Sequence, residues 1–262
     1  MALIAVAADK GAPGVTTTCV ALAAVWPRPV LLAECDPAGG DLACRLPAAG
    51  GGRLDPGRGL LSLAVAGRRG LGPGQILEHT QKLSGGLDVL AGVVTAEQGA
   101  GLEPLWGPAG SALAQLPGLD VIADCGRIGA DGPPYDLFAY ASAVVLVTRD
   151  TLGEVVRLRE RVTAVTTALA RRHRSSTPVA VVVVAGHRRF HAALSEVRHA
   201  LGPDGAARVV GGLAYDPASA EALRGEWGGR LNRSLLLRTA RDVAGRLASP
   251  HGSTVAAPVG RG

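Results

Sequence analysis

A glycine-punctuated loop near the start of the chain holds the residues best suited to chemistry. Lys10-Gly11-Ala12-Pro13-Gly14-Val15-Thr16-Thr17-Thr18 brings one cation, two glycines and three consecutive threonines together. Upstream, the apolar run ending at Ala8 is of strand type; downstream, the Ala-rich run from Cys19 to Trp26 reads as a helix. A strand, a glycine loop and a helix in that order make a cradle for phosphate. Loop amides converge inward, and the positive end of the helix dipole attracts an anion. The candidate anion-binding residues are therefore Gly11, Ala12, Pro13, Gly14, Val15, Thr16 and Thr17. The Thr16 hydroxyl stands where such a loop presents a ligand to Mg2+, and Thr17 could reach a phosphate oxygen. The alternative is a plain Gly-Pro turn between a strand and a helix.

Two further stretches supply carboxylates. Pro29–Ala33 leads into Glu34-Cys35-Asp36-Pro37-Ala38-Gly39-Gly40-Asp41, an apolar strand that ends in acids and then turns. Carboxylates at the C-terminal end of a parallel strand lie over the rim where open α/β sheets bind ligands. The simpler reading of Asp36-Pro37 is a turn-forming pair. In Gly118–Arg127, Asp120 and Asp124 frame a hydrophobic strand, and Asp124 sits at its end just before Gly126. A strand-end aspartate there steadies Mg2+ through water, and the glycine lets the following loop move.

The loop departs from the standard G-x-x-x-x-G-K-[ST] pattern, because Val15 takes the place of the phosphate-binding lysine and Lys10 stands at the loop's head. That layout resembles the deviant Walker A motif of the ParA/MinD family, K-G-x-x-G-K-[ST]-[ST]. Lys10, Gly11, Gly14, Thr16 and Thr17 match it and Val15 does not. Glu34-Cys35-Asp36-Pro37 resembles the family's D-x-D-P motif. Asp124 resembles its strand-end aspartate, although Gly126 comes early and Arg127 is unusual. Tyr215-Asp216-Pro217 resembles the I-P-Y-D-like segment of MinD proteins. The resemblance implies ATP and Mg2+ as ligands, with Thr16 and Asp124 at the metal. It also implies that Lys10 reaches across a nucleotide-sandwich homodimer to the partner's phosphates and that Asp36 positions the attacking water, so Lys10 and Asp36 are the candidate catalytic residues. Relatives often carry an asparagine that reads adenine after a late strand; here the stretch is Val183-Val184-Ala185-Gly186-His187. Arg127 and Arg149 are expected near the same rim, adding positive charge.

The elements that must position these residues alternate. All-apolar strands at Ala143–Thr148 and Pro178–Ala185 suit a sheet covered on both faces. Between them, Leu152–Arg172 reads as a long helix with Val155, Leu158, Val162, Val165 and Leu169 on one face. A strand is expected at Leu87–Gly92, a helix within 95–116 beginning after Pro104, another helix at Phe190–Leu201, and a last strand from Ala207. Helices at Ser219–Gly225 and Ser234–Leu247 close the chain. The expected fold is α/β: a doubly wound, mostly parallel sheet with helices on both faces, of P-loop NTPase type. One domain spans 1–248, and the Gly/Pro/Ala-rich 249–262 is expected to be a disordered tail.

The 262 residues are 47% hydrophobic and 19% charged, enough to bury a sizeable core. Lysine occurs only at Lys10 and Lys82. The net charge of +5 permits nucleic acid as a partner without demanding it. The four cysteines lack metal-type spacing and read as free, mostly buried thiols. The first apolar run ends in Asp9-Lys10 and no run is long enough to cross a bilayer, so a cytoplasmic location is expected. Val15 decides the expected mechanism, since phosphoryl transfer needs cations where negative charge builds up. Losing one such group costs about 3 kcal/mol, on the order of a hundredfold in rate. The expectation is a degenerate, spatially organising protein similar to the TadZ/CpaE type, which binds nucleotide weakly, hydrolyses it slowly or not at all, dimerises with nucleotide and acts on a protein partner. A working partitioning ATPase and a nucleotide-free interaction module are the alternatives.

Overall fold

The computed structural model describes residues 1–11, 13–67, 70–129, 132–172, 177–203, 205–223, 225 and 230–249. Ala12 and the tail beyond Ser249 lie outside the described residues. The elements follow as β1 (Leu3–Ala8), α1 (Val15–Ala24), β2 (Val30–Glu34), α2 (Leu42–Arg45), α3 (Leu60–Ala66), α4 (Pro73–Glu78), β3 (Gln81–Lys82), β4 (Asp88–Leu90), α5 (Ala96–Ala100), α6 (Trp106–Ala114) and β5 (Asp120–Arg127). Then come α7 (Pro134–Phe138), β6 (Ala143–Arg149), α8 (Leu152–Arg172), β7 (Val179–Ala185), α9 (Phe190–Leu201), β8 (Ala207–Ala214), α10 (Pro217–Ala222) and α11 (Leu235–Ala248).

The strands form one eight-stranded sheet in the order β3-β4-β2-β5-β1-β6-β7-β8. Among the named strands of the described residues, the short edge strand β3 alone runs antiparallel, against β4; the other pairings are parallel. Side chains alternate across a strand, so each strand feeds two cores. Leu3, Ala5 and Ala7 of β1 join a core with residues of α3, α4, α6, α7, α8 and α9. Ile4, Val6 and Ala8 join a second core with α1 and α11 on the opposite face. Burial on both faces explains why β7 reads Val-Ala-Val-Val-Val-Val-Ala with no polar residue. The chain leaves β1 toward β2 on one side and leaves β6 toward β7 on the other. This reversal opens a crevice at the carboxyl ends of β1 and β6, where doubly wound sheets place their ligands.

Several boundaries differ from the sequence-based expectation. Helix α1 begins at Val15 rather than near Cys19, because Gly14 adopts a left-handed φ of 93° and turns the chain straight into the helix. The stretch 95–116 holds two helices: a capping box between Thr95 and Gln98 starts α5, and α6 begins at Trp106. Gly126 was expected in a loop but lies inside β5. Its φ of +59° makes a bulge against β1, where the register shifts between Val6 and Ala8.

Asp120, the first of the two framing aspartates, sits at the other end of β5, away from the ligand rim. It accepts hydrogen bonds from Trp26 Nε1 at 2.8 Å, Arg28 Nε at 2.6 Å and the Ala2 amide at 2.7 Å. Burial pushes its pKa up, but these donors hold it below the usual carboxylate value.

Candidate functional site

The loop and α1 build one wall. Among the described residues, the N-cap Gly14 brings no side-chain cap to α1, and the first turn holds no acidic residue. Val15, the first helical residue, is 8% exposed and packs into the core on the α1 face. Position 15 is thus committed to an apolar contact. Lys10 is exposed and lines a shallow cleft on the α8 side with Thr148, Glu154, Arg157 and Arg161. Its neighbour Asp9 is fixed there by Arg161, with Nε 2.6 Å from Oδ1. Gly11 has a φ of 76°, and a Cβ on it would stand 3.4 Å from Glu154 Oε1. Lys10 and Gly11 therefore turn toward α8, whereas Pro13, Gly14 and Thr17 face the opposite cavity.

The end of β2 and the inside of β5 build the acidic side: Asp124, expected at a strand end, lies within β5, which runs on to Arg127. Asp124 is 1% exposed, and burial raises its pKa to about 6. The Thr16 hydroxyl and the Gly126 amide, 3.1 Å from Oδ1, hydrogen-bond this carboxylate and oppose the rise, while the charges of Asp36 and Asp41 add to it. The structure thus brings Thr16 and Asp124 together. Glu34 is level with Asp124 on the neighbouring strand and is 2% exposed. Burial pushes its pKa up to about 7, even though the Leu42 and Gly92 amides donate to its two oxygens at 3.0 and 2.9 Å. Asp36 is half-buried and raised by desolvation; the Ala38 amide, at 2.8 Å, and the Arg127 charge pull it back. Among the described residues, no group of three or more His, Cys, Asp or Glu side chains is arranged to hold a metal by itself. The Thr16–Asp124 pair suits Mg2+, which keeps waters and takes ligands from its substrate's phosphates.

A cavity of about 210 Å3 completes the site. It runs from Pro13, Gly14, Thr17 and Thr18 to Leu213–Pro217, with Val184, Ala220 and Leu236 as apolar walls and Arg149 on its β6 side. The Tyr-Asp-Pro ending closes it by a local device: Asp216 caps α10, accepting from the Ser219 amide at 3.1 Å and the Ser219 hydroxyl at 2.6 Å. Val183 to His187 brings no amide side chain, and Val184 faces the cavity. Sequence reasoning did not find Arg161, which ties Asp9 to the Gly129 carbonyl. One arginine among many on a long helix gives no such signal.

No family model matches the chain, and no curated protein matches it by sequence. Solved structures do. A ParA family ATPase from Chlorobium tepidum TLS superposes with a TM-score of 0.65 at 17% identity, over 93% of this chain and 98% of that one. The septum site-determining protein MinD complexed with Mg-ADP, from Pyrococcus horikoshii OT3, gives 0.65 at 15% identity over 96% and 97%. Cobyrinic acid a,c-diamide synthase from Mycobacterium smegmatis, with bound ADP and magnesium, gives 0.60 at 18% identity over 94% and 93%. The fold is therefore that of the P-loop ATPases of ParA and MinD type, an α/β doubly wound sheet. None of the described helices is long and apolar enough to cross a membrane.

Proposed function

We propose that the chain binds ATP with Mg2+ between the loop after β1 and the end of β8, turns it over slowly or not at all, and acts as a spatial organiser. The observation that carries this reading is the cavity. It connects the uncapped start of α1 to the β8 end, on the face of the sheet that carries Val15, with the Thr16–Asp124 pair at the loop. The loop from Gly11 to Thr17 would wrap the phosphates, the residues other than Pro13 offering backbone amides. Thr16 and Asp124 would hold the metal, whose chemistry is to neutralise charge developing on the phosphates. Asp36, half-buried with a raised pKa, would orient water, and Lys10 would act toward a second copy of the chain. The Mg-ADP in the MinD neighbour supports the choice of ligand. The ParA and MinD likeness supports the organiser role by analogy of fold, which also suggests a cytoplasmic homodimer with a protein or nucleic-acid partner.

Slow turnover follows from Val15, whose burial leaves position 15 without a cation for the phosphates. Steady-state phosphate release should be near background, and Val15→Lys should raise it by on the order of tenfold to a hundredfold. A wild-type rate ordinary for ParA-type ATPases would overturn this account. The burial of Val15 also favours a second reading, an interaction module that keeps the fold and binds no nucleotide.

A further inference from the structure

We infer that Arg149 is the cation this site offers to its ligand's phosphates, in place of the loop lysine that Val15 replaces. The inference rests on the nucleotide reading above. Among the described residues lining the cavity, Arg149 is the single basic side chain, and it shares that lining with Pro13, Gly14 and Thr17 of the loop. Lys10 lines a different cleft, on the α8 side.

The sheet explains how a β6 residue comes to serve the loop. β6 lies directly beside β1, with Ala7 opposite Leu146, so the end of β6 is level with the start of the loop. Alternation sends Ala143, Val145 and Val147 into the core on the α1 face, and Arg149 continues that series. Its side chain therefore leaves the sheet on the face where α1 begins. Its backbone is anchored, since the Arg149 amide donates to Glu154 Oε2 at 2.7 Å. Its guanidinium carbon lies 5.1 Å from the centroid of the Tyr215 ring, a contact that links it to the β8 end of the cavity.

Chemistry fits the place. A guanidinium presents a planar fork of donors that matches phosphate oxygens in pairs. A phosphate between that fork and the uncapped amides of α1 meets positive charge from two directions. The site would then have moved its cation from the first turn of α1 to the end of β6, leaving position 15 free to pack as valine.

A stacking role for the Arg149–Tyr215 pair against the base is the competing use of the same residue, and phosphate dependence separates the two. The test measures affinity for ATP and for adenosine, both with Mg2+, by displacement of a fluorescent nucleotide from wild type, Arg149→Gln and Arg149→Lys. Thermal melts check that each variant is folded. The expected result is that Arg149→Gln loses roughly tenfold or more in ATP affinity, as for a charged hydrogen bond, with adenosine unchanged and Arg149→Lys in between. Equal losses for ATP and adenosine, or no loss for either, would overturn the assignment while leaving the nucleotide site in place. A folded wild type that binds neither would overturn the nucleotide reading itself.

Discussion

A Cβ on Gly126 would overlap Asp36 Oδ2, and Gly126 holds a φ of +59° that other residues rarely adopt. The glycine is therefore required twice, once for the bulge in β5 and once for room beside the carboxylate. Gly126→Ala should lower unfolding stability by about 1–3 kcal/mol in urea titrations. Gly51→Ala is the control: its φ is +86°, but a Cβ there meets nothing within 4 Å, so it should cost less. Equal costs would show that Asp36 yields freely. Glu34 gives a second test. Its pKa is about 7 in the folded chain against 4.5 for the ordinary group, so between those values the folded state holds the proton more tightly. Its contribution is fully present below pH 4.5 and is lost as the pH rises through about 7. Glu34→Gln should lower stability overall, because its NH2 must face a backbone amide, yet make the decline across that window shallower. An unchanged slope by calorimetry would contradict the role given to burial. Spacing in the sequence placed these acids at a strand end; it could not show that Gly40 and Gly92 leave Glu34 its slot, a contact across the fold.

Helix α8 reaches the site through Arg161. Its guanidinium binds Asp9 beside Lys10 and the carbonyl of Gly129 beyond β5, and the Tyr135 hydroxyl donates to that same carbonyl at 3.1 Å. One side chain thus ties the loop after β1 to the segment after β5. Arg161→Ala should cost about 1–3 kcal/mol, the range for a charged hydrogen bond lost in a largely buried place. Paired with Asp9→Asn, it should show a strongly non-additive cycle by denaturant unfolding, and simple additivity would mean that the two do not act together. The central strands and α8 were legible because burial on both faces or along one stripe leaves a clear pattern. The start of α1 was not, since Val15-Thr16-Thr17-Thr18 is β-branched throughout and its helical state is set by Gly14 and the core beneath Val15. β3, Gln81–Lys82, is too short to carry any period.

At the scale of the molecule, the fold is legible from alternation, and its likeness to ParA and MinD ATPases extends over nearly the whole chain. The order of the main strands was legible too, whereas the cavity between β1 and β8 joins residues that only the sheet order brings together. Lys10 is exposed at the loop's edge, where a second copy of the chain could meet it. Sedimentation should show that ATP with Mg2+ shifts the wild type toward a two-fold dimer and that Lys10→Ala weakens the shift. A wild type that stays monomeric with nucleotide bound would remove that role. All of this depends on the site taking a nucleotide at all, so the most direct measurement is a calorimetric isotherm of ATP binding to the wild-type chain with and without Mg2+. Binding should be weak but saturable, one nucleotide per chain, tightened by Mg2+ and losing that tightening in Thr16→Ala. An isotherm showing no saturable binding under either condition would contradict it.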